Sequence, residues 1–463
     1  MADLLKKAAL MLSAVLMVGA VGGCGGKETA SGDVETVSVW TMNSHSEKVV
    51  RKLVDEWNDT TGKEKGIFID YKVQGGDSFT KTINLALQNG TAPDLLAGGG
   101  LKDLVEGGHV TPISDMPGGE EFLKKYENSG ILREGKGMYK GKIYSVPVNA
   151  GAQGLIYNKD MFKAAGIVDE NGEAKPPKTW DEIREVARKL TDKSKNQYGM
   201  VFPIKWGTGW YGSDLSNPVM SSQGFVDYNP ATGKYEYDGM KHAMEVLIGM
   251  KHDGSIYPGA DSLDNDSARA AFAEGSIGMK FGYTFDVGVL NDQFPAKCDW
   301  GVTQYPTYDE NVAYKNRMDY GMSYMFNAHS KITPEKLMEV MKFFTGDHFM
   351  LESYKEGVDI PYDPSLVEGV SLENAKHGWA EFAGLVKYGK MQPLSPSQDY
   401  AGAESAYETF INKIYSEQIS IDEGIAIMNK NANDAVENYY SAHPDEVSER
   451  EARIDPNWKP EER

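Results

Sequence analysis

Beyond an apolar N-terminal stretch the chain alternates strand-like and helix-like patterns, and that order restricts its fold more than any other feature. Thr36 to Trp40 alternates with the two-residue period of a strand. Val49, Val50, Leu53, Val54 and Trp57 then recur on one helical face behind Ser44-His45-Ser46-Glu47, a capping-box pattern, and Gly62 reads as the helix end. Ile67 to Val73 reads as a second strand, Phe79, Ile83, Ala86 and Leu87 as one face of a second helix, and Asp94 to Ala97 as a third strand. This β-α-β-α-β order predicts a doubly wound parallel sheet, because parallel neighbours need a crossover and the crossover helices cover the sheet faces. Such sheets take ligands at the carboxyl ends of their strands. Here those ends are Asn43, Ser44 and His45, then Gly75 to Ser78, then Gly98 to Leu101.

A second α/β block follows with no low-complexity linker. Lys142 to Val148 is extended and Leu155 to Tyr157 is a short strand. Thr179-Trp180-Asp181-Glu182 is another capping box, opening a helix with Ile183, Val186, Ala187 and Leu190 inward. Thr333-Pro334 starts a helix bearing Leu337, Val340, Met341 and Phe344, stopped by Gly346. No repeat of solenoid period is present. At 463 residues one core is too few, so two lobes are expected.

Charge narrows the partners. With 48 Lys plus Arg against 68 Asp plus Glu, the net charge of -20 argues against nucleic acid, whose phosphates demand clustered cations. Aromatics at 11% exclude a disordered chain. The two cysteines are Cys24 and Cys298. Ahead of Cys24 lie Lys6 and Lys7, then an uncharged run from Ala8 to Val21 that falls short of the ~20 residues needed to span a bilayer. This is a secretory signal layout, and Val21-Gly22-Gly23-Cys24 resembles the lipobox of bacterial lipoproteins. We therefore expect a signal peptide over 1–23, lipidation at Cys24 and a flexible tether over 24–34. More than one acyl chain would anchor the protein stably outside the cytoplasm, and Cys298 would be left without a partner.

Catalytic motifs fail on inspection. Gly207-Thr208-Gly209-Trp210-Tyr211-Gly212 spells G-x-G-x-x-G, but Ser213 to Pro218 reads as turn rather than helix, and bulky aromatics occupy the place a pyrophosphate would need. Gly321-Met322-Ser323-Tyr324 is followed by Met325, so the serine-hydrolase elbow is incomplete. The eight histidines form no H-x-x-x-H pair, and Asp261, Asp264, Asn265 and Asp266 lack the glycine of an EF-hand loop. No metal site, cofactor or catalytic residue is assigned.

Several motifs, taken in order, resemble one family. Gly90 to Leu95 is similar to a G-x-x-P-D turn, Gly141 to Pro147 to a G-K-x-Y-x-x-P strand, and Leu155 to Phe162 to a Y-N-K-D segment. Pro177 to Glu182 follows, and Ala271 to Met279 is similar to F-x-x-G-x-x-A-M with Gly278 for the usual Ala. Together they resemble the extracellular solute-binding proteins of ABC importers, in the sugar-binding group that includes maltose-binding protein, from about Val37 to Asn433. The resemblance implies an α/β, two-lobe periplasmic-binding-protein-like fold of type II, each lobe a doubly wound sheet flanked by helices, with the ligand cleft between. By analogy the N-lobe takes 35–148 plus 305–359 and the C-lobe 149–304 plus 360–463, crossing near Val148 to Ala152, Tyr305, and Asp359 to Tyr362.

The same resemblance points to ligand-binding residues. Trp206, Trp210 and Tyr211 fall where sugar binders supply stacking aromatics, although core packing is an alternative for each. Asn43, Ser44 and His45 match a polar loop, Ser44 also reading as a helix cap. Tyr283 and Phe285 match an aromatic position that core packing would equally explain, and Gln398 and Tyr400 match a further loop. Gly98, Gly99 and Gly100 replace the side-chain contacts of maltose-binding protein, so maltose specificity does not follow.

The function implied is capture of a carbohydrate, an oligosaccharide in the first instance, by a monomeric lipid-anchored protein that delivers it to ABC permease subunits and through them to the ATPase. A glycerol phosphate ester or polyamine on the same fold stays open. A phosphate would call for cations in the cleft loops, where only Lys102 and Lys205 are visible. A surface-anchored glycan hydrolase is a third reading.

Overall fold

The computed structural model describes residues 34–74, 78–312, 314–373 and 375–463; Cys24 and the signal, and Gly75, Gly76 and Asp77 of the second expected ligand loop, lie outside the described residues. The chain enters along β1 (Glu35–Thr41), crosses through α1 (Glu47–Trp57) to β2 (Ile67–Val73), then through α2 (Phe79–Gln88) to β3 (Leu95–Leu96) and on to β4 (Val110–Thr111). It leaves this lobe along β5 (Pro147–Gly151) and turns into β6 (Gln153–Asn158); α3 (Trp180–Leu190), β7 (Tyr198–Met200), β8 (Ile277–Tyr283) and β9 (Trp300–Thr303) follow. β10 (Asp319–Met322) leads back to β11 (Met325–Asn327), and α4 (Pro334–Phe344) and α5 (Asp347–Lys355) lead to β12 (Ile360–Pro361). The long α6 (Ile421–Ala442) comes near the end.

The first sheet has the order β2-β1-β3-β11-β4. β1 runs parallel to β2 and β3, from Glu35 opposite Ile67 onward, as the β-α-β-α-β pattern requires, while the returning β11 is antiparallel. Val37 and Val39 point into a core with Val50 and Val54 of α1 and Met341 and Phe344 of α4. The second sheet, β7-β8-β6-β9, is mixed: β7 and β8 are parallel, but β6 opposes both of its neighbours. β6 is entered directly from β5 of the crossing sheet, without a crossover helix. Every residue of β8 is buried, because α3 covers one face and the core around Phe272 and Trp379 the other.

The lobes are joined by a three-stranded antiparallel sheet of order β10-β5-β12. Its second crossing is Asp319–Met322, whereas Tyr305 is buried in the C-lobe core with its hydroxyl donating to the Asp214 carbonyl at 2.6 Å. Asn149 of β5 ties both neighbours: its amide donates to Asp359 Oδ1 at 2.6 Å and its Oδ1 accepts from Gly321 N–H at 3.0 Å.

Three local expectations are corrected. Gly62 does not end its helix, which widens through Asn58–Gly62 and runs to Lys65 before Gly66 turns left-handed. Glycine is required at 62 by packing, since a Cβ would lie 2.7 Å from the Ile67 carbonyl and 2.8 Å from the Trp57 ring. The Ser44–Glu47 capping box is not made: Ser44–Ser46 is a separate 3-10 turn, and Glu47 accepts from Arg51 instead. Ser213 to Pro218 is helical, within a run of Thr208–Trp210, a π turn over Tyr211–Ser216 and Asn217–Ser222. By contrast Thr179 and Glu182 form their capping box, and Ser405 with Glu408 and Ser420 with Glu423 form two more.

Candidate functional site

A cavity of about 500 Å3 lies where the two lobes meet the crossing strands, within the ~300–1,000 Å3 usual for small-molecule sites. The N-lobe lines it with the loop after β1, including Met42, Asn43 and His45, and with Ala97 after β3, which are the carboxyl ends of parallel strands. The floor is the crossing sheet, with Asn149, Asp319, Tyr320 and Asp359. The C-lobe wall is Trp206, Ser213, Tyr283, Thr284 and Phe285.

The C-lobe wall is aromatic and rigidly backed. The Tyr283 and Phe285 rings are stacked, 5.0 Å apart and within 8° of parallel, and the Arg269 guanidinium lies 5.3 Å from the Phe285 centroid. Asp286 joins this pair to a buried charge cluster: it accepts from Tyr283 N–H and from Arg269 Nε, both at 2.8 Å, and lies 3.5 Å from Lys280 Nζ. Burial pushes the Lys280 ammonium down, and Lys280 with Arg269 holds the Asp286 carboxyl below its ordinary range against the opposing effect of burial. Burial raises nearby Asp214 to about 7, Lys280 opposing. The π turn also contributes, because the Ser213 carbonyl accepts from the Tyr283 hydroxyl at 3.0 Å and the Gln153 amide at 2.6 Å. Gln153 itself bonds the Tyr283 hydroxyl. Trp206 rests against Gly209, where a Cβ would come within 2.7 Å of the indole.

Two acidic groups reach the cavity from the floor. Asp319 pairs with Arg317 at 3.1 Å. Asp359 is partly buried, and its loss of hydration raises its carboxyl to about 6, the Asn149 hydrogen bond opposing. His45 is held neutral, at about 4, by burial and by Arg269. Its ring centroid is 5.5 Å from that of Phe285, so the two lobes touch at this point. The groups lining the cavity therefore offer aromatic faces, hydroxyls, amides and carboxylates, a set suited to a solute with apolar faces and many hydroxyls.

Of the residues singled out in the sequence, the structure brings Asn43, His45, Trp206, Tyr283 and Phe285 together around the cavity. Ser44 is exposed beside it and does not line it. Trp210 and Tyr211 lie in the C-lobe core, Trp210 being 0% exposed between Phe202 and Phe410. Helical phase separates them from Trp206: the chain turns into a helix at Thr208, which directs Trp210 and Tyr211 inward. Gln398 and Tyr400 hydrogen-bond each other at 3.1 Å and pack near α6, away from the cavity lining. Lys102 is engaged by Glu446 at 2.7 Å and by the Tyr439 hydroxyl. Asn149, Asp319, Tyr320 and Asp359 were not read as site residues; the only signal was the predicted crossing at Val148 to Ala152 and at Asp359, since β10 is short and its burial shows no alternation. Among the described residues, no group of His, Cys, Asp and Glu could hold a metal ion, and no helix is long and apolar enough to cross a membrane.

Comparison with known proteins agrees with this architecture. The maltotriose-binding protein of Pyrococcus abyssi is 25% identical over 338 residues, 71% of this chain and 68% of its own. The sn-glycerol-3-phosphate-binding periplasmic protein of Brucella abortus is 27% identical over 282 residues, 58% of this chain and 60% of its own. Among solved structures, an ABC transporter solute-binding protein of Thermotoga lettingae bound with alpha-D-tagatose superimposes with a TM-score of 0.66 at 21% identity, covering 87% of this chain and 100% of that one. The family profile of the bacterial extracellular solute-binding proteins matches residues 43–348, from the first cavity loop through two of the three crossing strands to the start of α5, and the chain belongs to that family.

Proposed function

We propose that this protein captures a carbohydrate, an oligosaccharide in the first instance, in the cavity between its lobes and delivers it to the permease of an ABC importer. The observation that carries the reading is the pairing of an aromatic C-lobe wall with hydrogen-bonding groups of the N-lobe loop and crossing strands around one cavity. Sugar rings have apolar faces that aromatics cover, and their hydroxyls need partners once water is displaced. The maltotriose-binding relative and the tagatose-bound neighbour support the same solute class. Acylation at Cys24 would keep the protein at the outer face of the cell membrane, within reach of the permease.

A thermal-shift panel on the purified protein tests the assignment. Mono- and oligosaccharides at about 100 times Kd should stabilise the fold by ~2.7 kcal/mol, visible as a raised Tm. The glycerol-phosphate-binding relative earns one competing arm, glycerol 3-phosphate. A shift with that ester and with no saccharide would overturn the carbohydrate reading.

A further inference from the structure

A second cavity, of about 280 Å3, adjoins the first, and Asp319 and Tyr320 line both. Arg133 and Lys136 from the N-lobe and Arg317 from the crossing region line the second cavity, in a chain whose net charge is -20. Arg317 is neutralised by Asp319, which it holds with Nε and Nη2 at 3.1 and 3.2 Å. Arg133 and Lys136 are held differently, by carbonyl oxygens: Lys136 Nζ donates to Tyr320 O at 2.7 Å and Arg133 Nη2 to Gln392 O at 2.5 Å. A carbonyl fixes a cation in place and leaves its charge uncompensated.

Further observations point the same way. Among the described residues the Arg133 Nε is buried without a hydrogen-bond partner, an arrangement that costs stability unless something fills it. Arg453 adds like charge, and together with burial it lowers the hold of Arg133 on its proton. The remaining carboxylate lining this cavity, Asp227, is engaged by the Ser216 hydroxyl at 3.1 Å, and burial raises its carboxyl. The cavity thus presents a guanidinium and an ammonium, both already oriented and, among the described residues, neither in a salt bridge, Asp319 offsetting part of the Lys136 charge from across the cavity. Planar guanidinium N–H groups match carboxylate and phosphate oxygens, and ammonium donors add point charge.

Building on the carbohydrate reading, we propose that this second cavity is an anionic subsite, seating the carboxylate or phosphate of an acidic saccharide whose other rings occupy the main cavity. Asp319 and Tyr320, shared by both linings, place the two cavities side by side. The general negative charge of the surface does not oppose this strongly, since exposed charges are screened beyond ~8 Å at physiological salt.

Titration calorimetry with matched pairs tests it: xylotriose against xylotriose carrying one glucuronic acid, galactotriose against trigalacturonate, and glucose against glucose 6-phosphate. In at least one pair the acidic member should bind about 10-fold tighter or more, the advantage shrinking as salt is raised. The uronate and phosphate pairs separate the two sources of negative charge. Lys136→Gln and Arg133→Gln should each abolish the advantage while changing affinity for the neutral member less than about 3-fold. Unliganded melting temperatures identify a variant that has lost its fold, in which case the other decides. If no acidic member outbinds its neutral partner, or the advantage survives in both variants, the subsite is refuted while the carbohydrate reading stands. If no saccharide of either kind binds, both fall together.

Discussion

The two walls of the main cavity are built by different means. The N-lobe wall is the end of β1, where Asn43 is exposed and His45 half-buried on a short 3-10 turn with no side-chain cap. The C-lobe wall is the end of β8, buried along its whole length, with stacked rings fixed to an Asp286, Arg269 and Lys280 cluster beneath. Groups locked before the ligand arrives lose little freedom on binding, so the C-lobe wall should supply most of the affinity. The N-lobe loop should supply hydrogen bonds that form as the lobes close around the solute.

The strongest attempt to break this contrast is Asp286→Ala. It leaves Lys280 and Arg269 buried without their shared carboxylate, and breaking a buried ion pair from one side typically costs ~3–5 kcal/mol. Chemical denaturation should show a loss of that order. A loss under about 1 kcal/mol would mean that the aromatic wall does not rest on the cluster. Next in size is Trp206→Ala, which removes a cavity ring without opening the core. Saccharide binding should weaken about 30-fold, ~2 kcal/mol, with the unliganded Tm nearly unchanged. An effect no larger than that of Asn43→Ala would erase the difference between the walls.

How far the sequence disclosed these walls follows from their construction. β1 and β2 were legible because one face is buried and the other is not, which imprints the two-residue period; observed and expected strands agree to within a residue. β8 carries no such period, since both faces are covered, and Tyr283 and Phe285 could be placed only by resemblance. Trp206, Trp210 and Tyr211 looked alike in sequence because glycines interrupt them and a π turn disrupts the 3.6-residue phase that would have sorted them. Three-dimensional packing put one at the cavity and two in the core. The floor residues Asp319 and Asp359 were hidden for another reason: crossing strands of four and two residues are too short for periodicity, and their partners are remote in sequence. The cations of the second cavity were hidden likewise, being gathered from the N-lobe and from the crossing region, remote in sequence.

Acidity distinguishes the walls further, with opposite sign. His45 sits at about 4 when folded against 6.5 unfolded, so the unfolded chain takes up the proton first. Its contribution is fully present above about pH 6.5 and is lost as pH falls toward 4. Asp214, behind the C-lobe wall, sits at about 7 against 3.8. Its contribution is fully present below 3.8 and is lost as pH rises toward 7. Denaturation across pH 4 to 7 should therefore respond oppositely to His45→Asn, which flattens the acid side, and Asp214→Asn, which flattens the side approaching neutrality. Parallel responses would show that the two groups do not titrate as their surroundings dictate.

The smallest effect is expected at Ser44, and it separates position from chemistry. Ser44 lies between two cavity residues, Asn43 and His45, and its spacing to Glu47 suggests a cap. The structure gives its side chain neither role: it is exposed, it does not line the cavity and it caps no helix. Caps contribute ~1 kcal/mol, whereas exposed side chains without such a role fall within about 0.5 kcal/mol of neutrality. Ser44→Ala should thus change stability by less than about 0.5 kcal/mol and saccharide affinity by less than about 2-fold. A loss near 1 kcal/mol in stability would restore the cap that the sequence suggested. An unchanged fold with a clear loss of affinity would instead mean that the N-lobe loop moves inward on closure, bringing Ser44 to the ligand and giving that wall a larger share of recognition than the present geometry assigns it.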